Sequence, residues 1–210
     1  MMNNKISLPV IKRLPKYYRY VSNMKRNNIV TVSSSELASM MGTTASQVRQ
    51  DFNCFGGFGQ QGIGYNVESL CHELESLLFS GKELTTILIG TGKLGRAISH
   101  FLAADAQGYR LMAAFDASPA EIGSDLGGLT VQDVSTLAEY CQKNRPQVAV
   151  LCIPTEGARQ LAPTLLNLGV KGFWNFSHYD LSTSQQNVVV ENVHLGDSLT
   201  SLGFQIRNAN

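Results

Sequence analysis

Two short stretches of this 210-residue chain carry residues whose types and spacing could do chemistry. The first is Gly90-Thr91-Gly92-Lys93-Leu94-Gly95, a G-x-G-x-x-G pattern that is followed by Asp116. In such a loop the glycines permit a tight turn, a close approach of the backbone to a pyrophosphate, and packing of the next helix on the strand. The acid about twenty residues later accepts hydrogen bonds from the ribose of adenosine and would repel a 2′-phosphate. The pattern predicts a site for NAD+ or NADH.

The second stretch could read DNA. Ala45, Val48, Phe52 and Phe55 recur at helical spacing and predict the buried face of a helix. The residues left on the opposite face are Ser46, Gln47, Arg49, Gln50 and Asn53. Glutamine and asparagine pair bidentately with adenine, and arginine pairs with guanine or phosphate. The same face also fits a plain helical hairpin with a polar outer surface.

The residues before this helix complete a helix-turn-helix pattern. Ser33 and Glu36 match a capping box that starts a short helix, and Gly42 ends it. Either Thr43 or Thr44 then caps the helix with the polar face. A short helix, a turn with glycine and a second helix with such a face are typical of a protein that reads the major groove.

A further helix is predicted over residues 9–26, ahead of this pair. Lys12 and Arg13 lie outside its apolar stripe and are candidate DNA contacts. Pro15 falls inside the pattern and is expected to kink or break the first turns, because proline lacks the backbone N–H and clashes with the preceding turn.

The glycine-rich residues 58–65 predict the wing of a winged helix. A wing commonly lies along a DNA backbone or minor groove, so Gln60, Gln61 and Tyr65 are candidate DNA contacts. An amphipathic helix over 67–80 is expected to close this first domain.

The charge distribution favours DNA binding by the first domain. Residues 1–65 contain eight Lys or Arg and two acidic residues, a net +6, whereas the remainder has a net −5 within a total of +1. A basic N-terminal third on an acidic body is typical of a polyanion-binding module attached to a domain that does not contact the polyanion.

The rest of the chain predicts an α/β fold with a doubly wound parallel sheet of the Rossmann type. Apolar runs and helical patterns alternate: strands 84–89, 111–115, 147–153, 171–176 and 188–191, and helices 93–106, 156–168 and 194–207. Ligands of such folds bind outside the carboxyl ends of the strands, so Pro154 and Phe176 are expected at the nicotinamide end of the site. The predicted domains are 1–80, 81–193 and a C-terminal helix over 194–210.

Composition excludes several classes of protein. The four cysteines, Cys54, Cys71, Cys141 and Cys152, form no C-x-x-C pair, which favours reduced thiols over a disulfide framework or a zinc site. No segment approaches the roughly 18 apolar residues of a membrane helix, and no signal-peptide pattern precedes the first helix. We expect a cytoplasmic protein with no bound metal and no membrane partner.

With these motifs in view, the chain resembles Rex, the NADH-responsive transcriptional repressor family of bacteria. The resemblance is carried by Lys12-Arg13-Leu14-Pro15, Tyr17-Tyr18-Arg19-Tyr20, Gln47-Val48-Arg49-Gln50-Asp51, Phe55-Gly56, Gly62-Ile63-Gly64-Tyr65-Asn66-Val67, the glycine loop, Ala114-Phe115-Asp116, Gly172, Asn175-Phe176 and Val190-Glu191-Asn192-Val193. These matches occur in order over nearly the whole chain.

The resemblance implies a non-enzymatic homodimer in which each subunit has a winged helix, a Rossmann domain and a last helix swapped onto its neighbour. Family members bind a palindromic operator when NAD+ dominates and release it when NADH rises, which controls genes of fermentation, anaerobic respiration and NADH reoxidation. The family positions that bind the cofactor match Gly90, Gly92, Gly95 and Asp116, and those that face DNA match residues of the polar helix face and the wing.

The resemblance also implies a set of switch residues, at which this chain departs from many relatives. An Asp of those relatives pairs with an Arg that matches Arg19, but His194 stands at the Asp position. Asp197, one helical turn further, is an alternative partner. A Tyr of the same switch in some relatives falls on Phe101, which has no hydroxyl.

Two alternative functions compete with a redox-sensing repressor. A small NAD-dependent dehydrogenase would need an acid or base beside the nicotinamide, for which the candidates are His178 and Tyr179. A DNA-binding protein with a degenerate nucleotide fold would bind DNA without sensing the redox state.

Overall fold

The computed structural model describes residues 6–56, 59–60, 64–181 and 188–209 of the chain, with only the backbone of residues 59–60. The chain divides into two compact units, residues 1–81 and residues 82–210. Each has its own buried apolar core.

The described residues of the first unit form four helices and a small three-stranded sheet. Its elements are α1 (Leu8–Arg26), β1 (Thr31–Val32), α2 (Ser34–Met41), α3 (Ala45–Asn53), β2 (Gly59–Gln60), β3 (Gly64–Asn66) and α4 (Val67–Phe79). The sheet has the order β1-β3-β2, and both pairings are antiparallel. Helices α2 and α3 followed by the hairpin β2–β3 form the predicted winged helix-turn-helix.

The sequence signals for α2 and α3 are confirmed in detail. The Ser33 hydroxyl accepts from the Glu36 amide at 3.1 Å while the Glu36 carboxylate accepts from the Ser33 amide at 2.7 Å, which completes the capping box. Gly42 ends α2 in the left-handed region with φ of 65°. Thr44 caps α3 by accepting from the Gln47 amide.

Of the two expected effects of Pro15, a kink or a break in the first turns, the break is wrong. Helix α1 is assigned continuously from Leu8 to Arg26 with Pro15 inside it. Proline in a helix interior costs about 3 kcal/mol, but the apolar side chains buried on either side of it contribute roughly 1.5–3 kcal/mol each. These are Val10, Leu14, Tyr17, Val21 and Met24. Their packing, largely against α4, outweighs the local cost.

The second unit is a seven-stranded sheet with helices. Its elements are β4 (Leu84–Ile89), α5 (Lys93–Ala104), β5 (Tyr109–Asp116), β6 (Asp125–Leu126), β7 (Leu129–Asp133), α6 (Leu137–Asn144), β8 (Val148–Leu151), α7 (Thr155–Asn167), β9 (Gly172–Asn175), β10 (Val189–Asn192) and α8 (Leu195–Asn208). The strand order is β10-β9-β8-β4-β5-β7-β6. All pairings are parallel except that of β6 with β7.

This order reverses direction between β4 and β8, as in a doubly wound Rossmann fold, and confirms the predicted fold class. The hairpin β6–β7 and helix α6, between residues 117 and 146, were not predicted from the sequence. Both elements are short, and β7 (Leu-Thr-Val-Gln-Asp) has only two apolar residues, so neither produces a strong periodic signal.

Candidate functional site

Helix α3 presents the predicted polar face. Ser46, Arg49, Gln50 and Asn53 are exposed, whereas Val48 and Phe52 are buried on the opposite side. The Arg49 guanidinium donates to the Ser34 hydroxyl of α2 at 2.9 Å, which orients its side chain across the two helices. The exposed face therefore carries one cation and several amide and hydroxyl groups, the set that reads bases and phosphates in the major groove.

Asp51 organises the inner side of α3, and the sequence analysis missed it. Its side chain is 1% exposed and accepts from Arg13 of α1 through two bonds, Nε to Oδ2 at 2.6 Å and Nη2 to Oδ1 at 2.7 Å. The Tyr17 hydroxyl donates to Oδ2 at 2.9 Å, and the Gln47 amide donates to Oδ1 at 2.8 Å. Burial raises the pKa of Asp51, but the hydrogen bonds from Arg13, Gln47 and Tyr17 outweigh it, and the pKa lies below its ordinary value.

These contacts change the roles expected of two residues. Two of the three Arg13 nitrogens are occupied by Asp51, so most of that guanidinium holds α3 against α1 instead of projecting outward. Gln47 is half-buried and uses one amide N–H on Asp51. Lys12 is exposed on α1. The available signal was an acid three residues after Val48 and directly before Phe52, at the border of the predicted buried face, with Arg13 in a neighbouring helix.

The wing residue Tyr65 differs from its prediction as a DNA-facing side chain. It lies in the central strand β3, pairs with Val32 and Gly59, and is only 7% exposed. Its ring packs edge-to-face on Phe52 with centroids 5.0 Å apart. Because side chains alternate along a strand, Tyr65 points to the core. Burial raises the pKa of Tyr65, and nearby Arg49 opposes that shift. The side chain of Gln60 and all of Gln61 lie outside the described residues.

The glycine loop has the geometry of a dinucleotide cradle. A Cβ on Gly90 (φ 90°) would lie 2.4 Å from the Cys152 carbonyl oxygen, and one on Gly95 would lie 1.9 Å from the Gly90 carbonyl oxygen. Neither glycine can be replaced without moving the backbone. A Cβ on Gly92, by contrast, would meet nothing within 4 Å, so a side chain there would fill open space at the N-terminus of α5. Lys93 and Leu94 are exposed beside it.

Asp116 stands at the end of β5, next to this loop. Its Oδ2 accepts from the backbone amide of Thr91 at 2.6 Å and from the Thr91 hydroxyl at 2.9 Å, and its Oδ1 accepts from the Ser118 amide at 2.9 Å. Burial raises the pKa of Asp116, but these hydrogen bonds lower it further than burial raises it, so the carboxylate is ionised. Thr91 is fully buried and orients the acid, a role that the motif alone does not reveal.

The structure brings the predicted cofactor residues to one edge of the sheet. The Gly90 amide donates to the Phe115 carbonyl at 2.8 Å, the Cys152 amide to the Ile89 carbonyl at 2.8 Å, and the Phe176 amide to the Leu151 carbonyl at 2.9 Å. These bonds align the carboxyl ends of β4, β5, β8 and β9 side by side. Pro154 is exposed at the start of α7, and the Phe176 ring lies 4.7 Å from that of Trp174.

The predicted switch residues are distributed over both units. Arg19 is exposed on α1, with its guanidinium 5.5 Å from the centre of the Tyr20 ring. The Phe101 ring lies 5.9 Å from that of Trp174 in the second unit. The ring of His194, which precedes α8, stacks on that of His178 at 6.0 Å. Asp197 lies in the first turn of α8.

The two candidate acid–base residues of the dehydrogenase alternative lie in the loop after β9. His178 is exposed against His194, and the Tyr179 ring lies 5.5 Å from the Arg159 guanidinium. No group of three potential metal ligands occurs within the described ranges. Among the helices that the structure describes, none is long and apolar enough to cross a membrane.

Two family models match the chain. The model described as "Putative DNA-binding protein N-terminus" matches residues 5–53, and the one described as "CoA binding domain" matches residues 81–179. The first match lies within the first unit, and the second match lies in the second unit except for its first residue.

Relatives match over almost the full chain. The redox-sensing transcriptional repressor Rex of Clostridium botulinum (strain Eklund 17B / Type B) is 42% identical over 204 residues, which cover 97% of each protein. That of Clostridium kluyveri is 44% identical over 197 residues, or 94% of this chain and 93% of the relative.

Two solved structures also match this protein over almost the full chain. RSP in complex with β-NAD+ and operator DNA is 41% identical with a TM-score of 0.87, covering 97% of this chain and 94% of RSP. RSP in complex with β-NADH is 38% identical with a TM-score of 0.88, covering 98% of this chain and 96% of RSP.

Proposed function

The chain belongs to the Rex family of redox-sensing transcriptional repressors, and we propose that it binds operator DNA when NAD+ predominates and releases it when NADH accumulates. The observation that carries this function is the open cradle at Gly92 beside the ionised Asp116, in a chain that also contains a winged helix. RSP, which matches both units, has been solved with NAD+ and operator DNA and with NADH.

The residues of the second unit fit a dinucleotide. The backbone of the loop from Gly90 to Gly95 and the N-terminus of α5 would hold the pyrophosphate, because unpaired N–H groups and the helix dipole favour anions. Asp116 would accept from the adenosine ribose, and its charge disfavours a 2′-phosphate. Pro154 and Phe176 would border the nicotinamide.

The bound cofactor supplies the signal, because NAD+ and NADH differ by a hydride and by one positive charge on the nicotinamide. A ligand shifts an equilibrium only through its different affinity for the two states. The groups near Phe176 must therefore respond to that difference, with a coupling that in allosteric proteins is about 5- to 150-fold in affinity.

The DNA contacts that we propose lie on α3. Arg49, Gln50, Ser46 and Asn53 are exposed on one face, and Gln47 keeps one amide N–H and its carbonyl oxygen for DNA. Lys12 adds a phosphate contact from α1. Arg13 and Tyr65 support this face from within by positioning α3 and the wing.

We further propose that α8 forms a homodimer by docking on a second copy of the chain. Its apolar residues Leu195, Leu199, Leu202, Phe204 and Ile206 are all more than half exposed, and none of its residues is buried. In a two-fold dimer, the two copies of α3 meet half-sites about 34–36 Å apart, or multiples of that distance, so the operator would be palindromic.

The alternative of a small NAD-dependent dehydrogenase is set aside. The relatives that span nearly the whole chain are named repressors. The candidate acid–base residues, His178 and Tyr179, contact His194 and Arg159 instead of forming a paired acid and base.

The test is DNA-binding anisotropy on a palindromic duplex selected from a random pool, with NADH titrated against a fixed excess of NAD+. The proposal predicts release that follows the NADH to NAD+ ratio. Tight binding that is indifferent to this ratio would contradict it and would support the DNA-binding protein with a degenerate nucleotide fold.

A further inference from the structure

Asn175 is the last residue of β9, and its side chain is buried. Both the nitrogen and the oxygen of its side-chain amide form hydrogen bonds. Its amide nitrogen donates to the Tyr179 carbonyl at 2.7 Å and to the Asn192 side-chain oxygen at 2.8 Å. Its oxygen accepts from the Ser177 amide at 3.1 Å and from the Ser177 hydroxyl at 2.7 Å. A carboxamide has two N–H donors and two lone pairs, so Asn175 is held in a single orientation.

These bonds join two segments that are separate in sequence. One is the loop 176–179, which contains Phe176 at the proposed nicotinamide end. The other is the end of β10, where the Asn192 amide also donates to the Asp180 carboxylate at 3.0 Å and the Val193 amide donates to the Asn175 carbonyl at 2.8 Å.

A second contact joins the same two segments independently of Asn175. The His178 ring of the loop stacks on the His194 ring, 6.0 Å away and within 7° of parallel. Helix α8 begins at the next residue, Leu195. The loop that contains Phe176 and the start of α8 are therefore connected by side chains and backbone within one unit.

We infer that Asn175 and Asn192 are positioning residues that couple the redox state of the cofactor to helix α8. The inference rests on the proposed function, since it assumes that Phe176 borders the nicotinamide and that α8 docks on a second copy. A shift of the loop on exchange of NAD+ for NADH moves the start of α8 through the Asn175–Asn192 bond. The dimer geometry, and with it the spacing of the two α3 helices, then follows the cofactor.

The test uses Asn192→Ala in the full-length protein, because Asn192 is half-buried and its truncation leaves the backbone pairing of β10 intact. Two quantities are measured: the Kd of NADH for the free protein, and the ratio of operator Kd values at saturating NADH and saturating NAD+. We expect the NADH Kd to stay within about threefold, while the operator ratio falls below its original value in the range of about 5- to 150-fold but stays above 1, because the His178–His194 contact remains.

The matched control is Val189→Ala, on the same strand and largely exposed, which should leave the operator ratio unchanged. A purely structural role for Asn192 would weaken operator binding equally in both redox states and leave the ratio as in the unmodified protein. The ratio therefore separates coupling from stability.

Asn192→Ser provides a second variant should Asn192→Ala fail to fold, because it also removes the Asn175–Asn192 side-chain bond but keeps a small polar group at this position of β10. An unchanged operator ratio in the variants that fold would overturn the inference. If the unmodified protein itself shows no dependence on the cofactor's redox state, the proposed function fails, and this result is distinguishable because it appears before any substitution is made.

Discussion

Asp116 and Arg49 are the single residues on which the two proposed binding activities most directly depend. Asp116 is an ionised carboxylate held by Thr91 and Ser118 beside the glycine loop. Arg49 is the exposed cation of α3. Because they lie in different units, each substitution should remove contacts to one ligand and leave the direct contacts to the other in place.

We expect Asp116→Ala to weaken NADH binding by about 10- to 150-fold, since a hydrogen bond to a charged group contributes roughly 1.5–3 kcal/mol. The measurement is a titration of NADH fluorescence. Asp105→Ala is the matched control, because Asp105 is exposed at the other end of α5. Equal affinity of the Asp116 variant and the unmodified protein would contradict the assignment.

We expect Arg49→Ala to weaken operator binding by about 1–3 kcal/mol without changing the Kd of NADH. The loss should be larger for the selected operator than for random DNA if Arg49 contacts a base, and uniform if it contacts a phosphate. Arg26→Ala, an exposed cation at the end of α1, serves as the control. An Arg49 variant with full operator affinity would remove α3 as the proposed reading helix.

At the scale of elements, the position of α3 depends on the buried carboxylate of Asp51. Asp51→Asn removes the charge that Arg13 and Tyr17 contact, and we expect a loss of roughly 1.5–3 kcal/mol in the stability of the first unit. Hydrogen exchange of the backbone amides of α1 and α3, in the full chain, measures this loss of stability. Glu68→Gln, which breaks the exposed pair with Lys25, should cost less than about 1 kcal/mol.

The ionisation of Asp51 predicts how the stability of the first unit changes with pH. The pKa of Asp51 is lower in the folded protein than its ordinary value, so its contribution is fully present above the unfolded pKa of about 3.9. The contribution is lost as the pH falls through the lower, folded value. The difference in folding stability between Asp51→Asn and the unmodified protein should therefore be largest at neutral pH and decrease in acid. A constant difference would contradict this explanation.

Two glycines of the loop, Gly92 and Gly95, offer a matched comparison. Gly95→Ala places a Cβ against the Gly90 carbonyl, so we expect reduced thermal stability of the second unit. Gly92→Ala meets no protein atom and has an ordinary φ of −61°, so the protein should fold but lose NADH affinity because the methyl group fills the cradle. Thermal unfolding and NADH titration of both variants test this. Normal NADH affinity in Gly92→Ala would contradict the proposed cradle.

At the scale of the whole molecule, α8 is the proposed dimer contact. Leu199→Asp places a charge on its exposed apolar face, and we expect loss of the dimer in analytical ultracentrifugation and weaker operator binding. Ser198→Asp adds the same charge at a neighbouring polar position and should leave the dimer intact. A dimer that survives Leu199→Asp would exclude docking through this face.

The sequence by itself determined the architecture, and it supplied the two sites that we propose. Strand and helix periodicity, the capping box at Ser33 and the glycine loop are local patterns, and local backbone preferences and sterics are enough to specify them. The order of these patterns along the chain then predicted a winged helix followed by a Rossmann sheet, which the strand order confirms.

Tertiary structure alone decided which polar residues face inward. Arg13 and Asp51 are 38 residues apart, Thr91 and Asp116 are 25 apart, and Asn175 and Asn192 are 17 apart, so no local pattern links them. Tyr65 is buried because β3 is the central strand, and Pro15 is accommodated because α1 packs on α4. A buried polar group needs a partner, and its partner is set by the packing of distant elements, which periodicity does not encode.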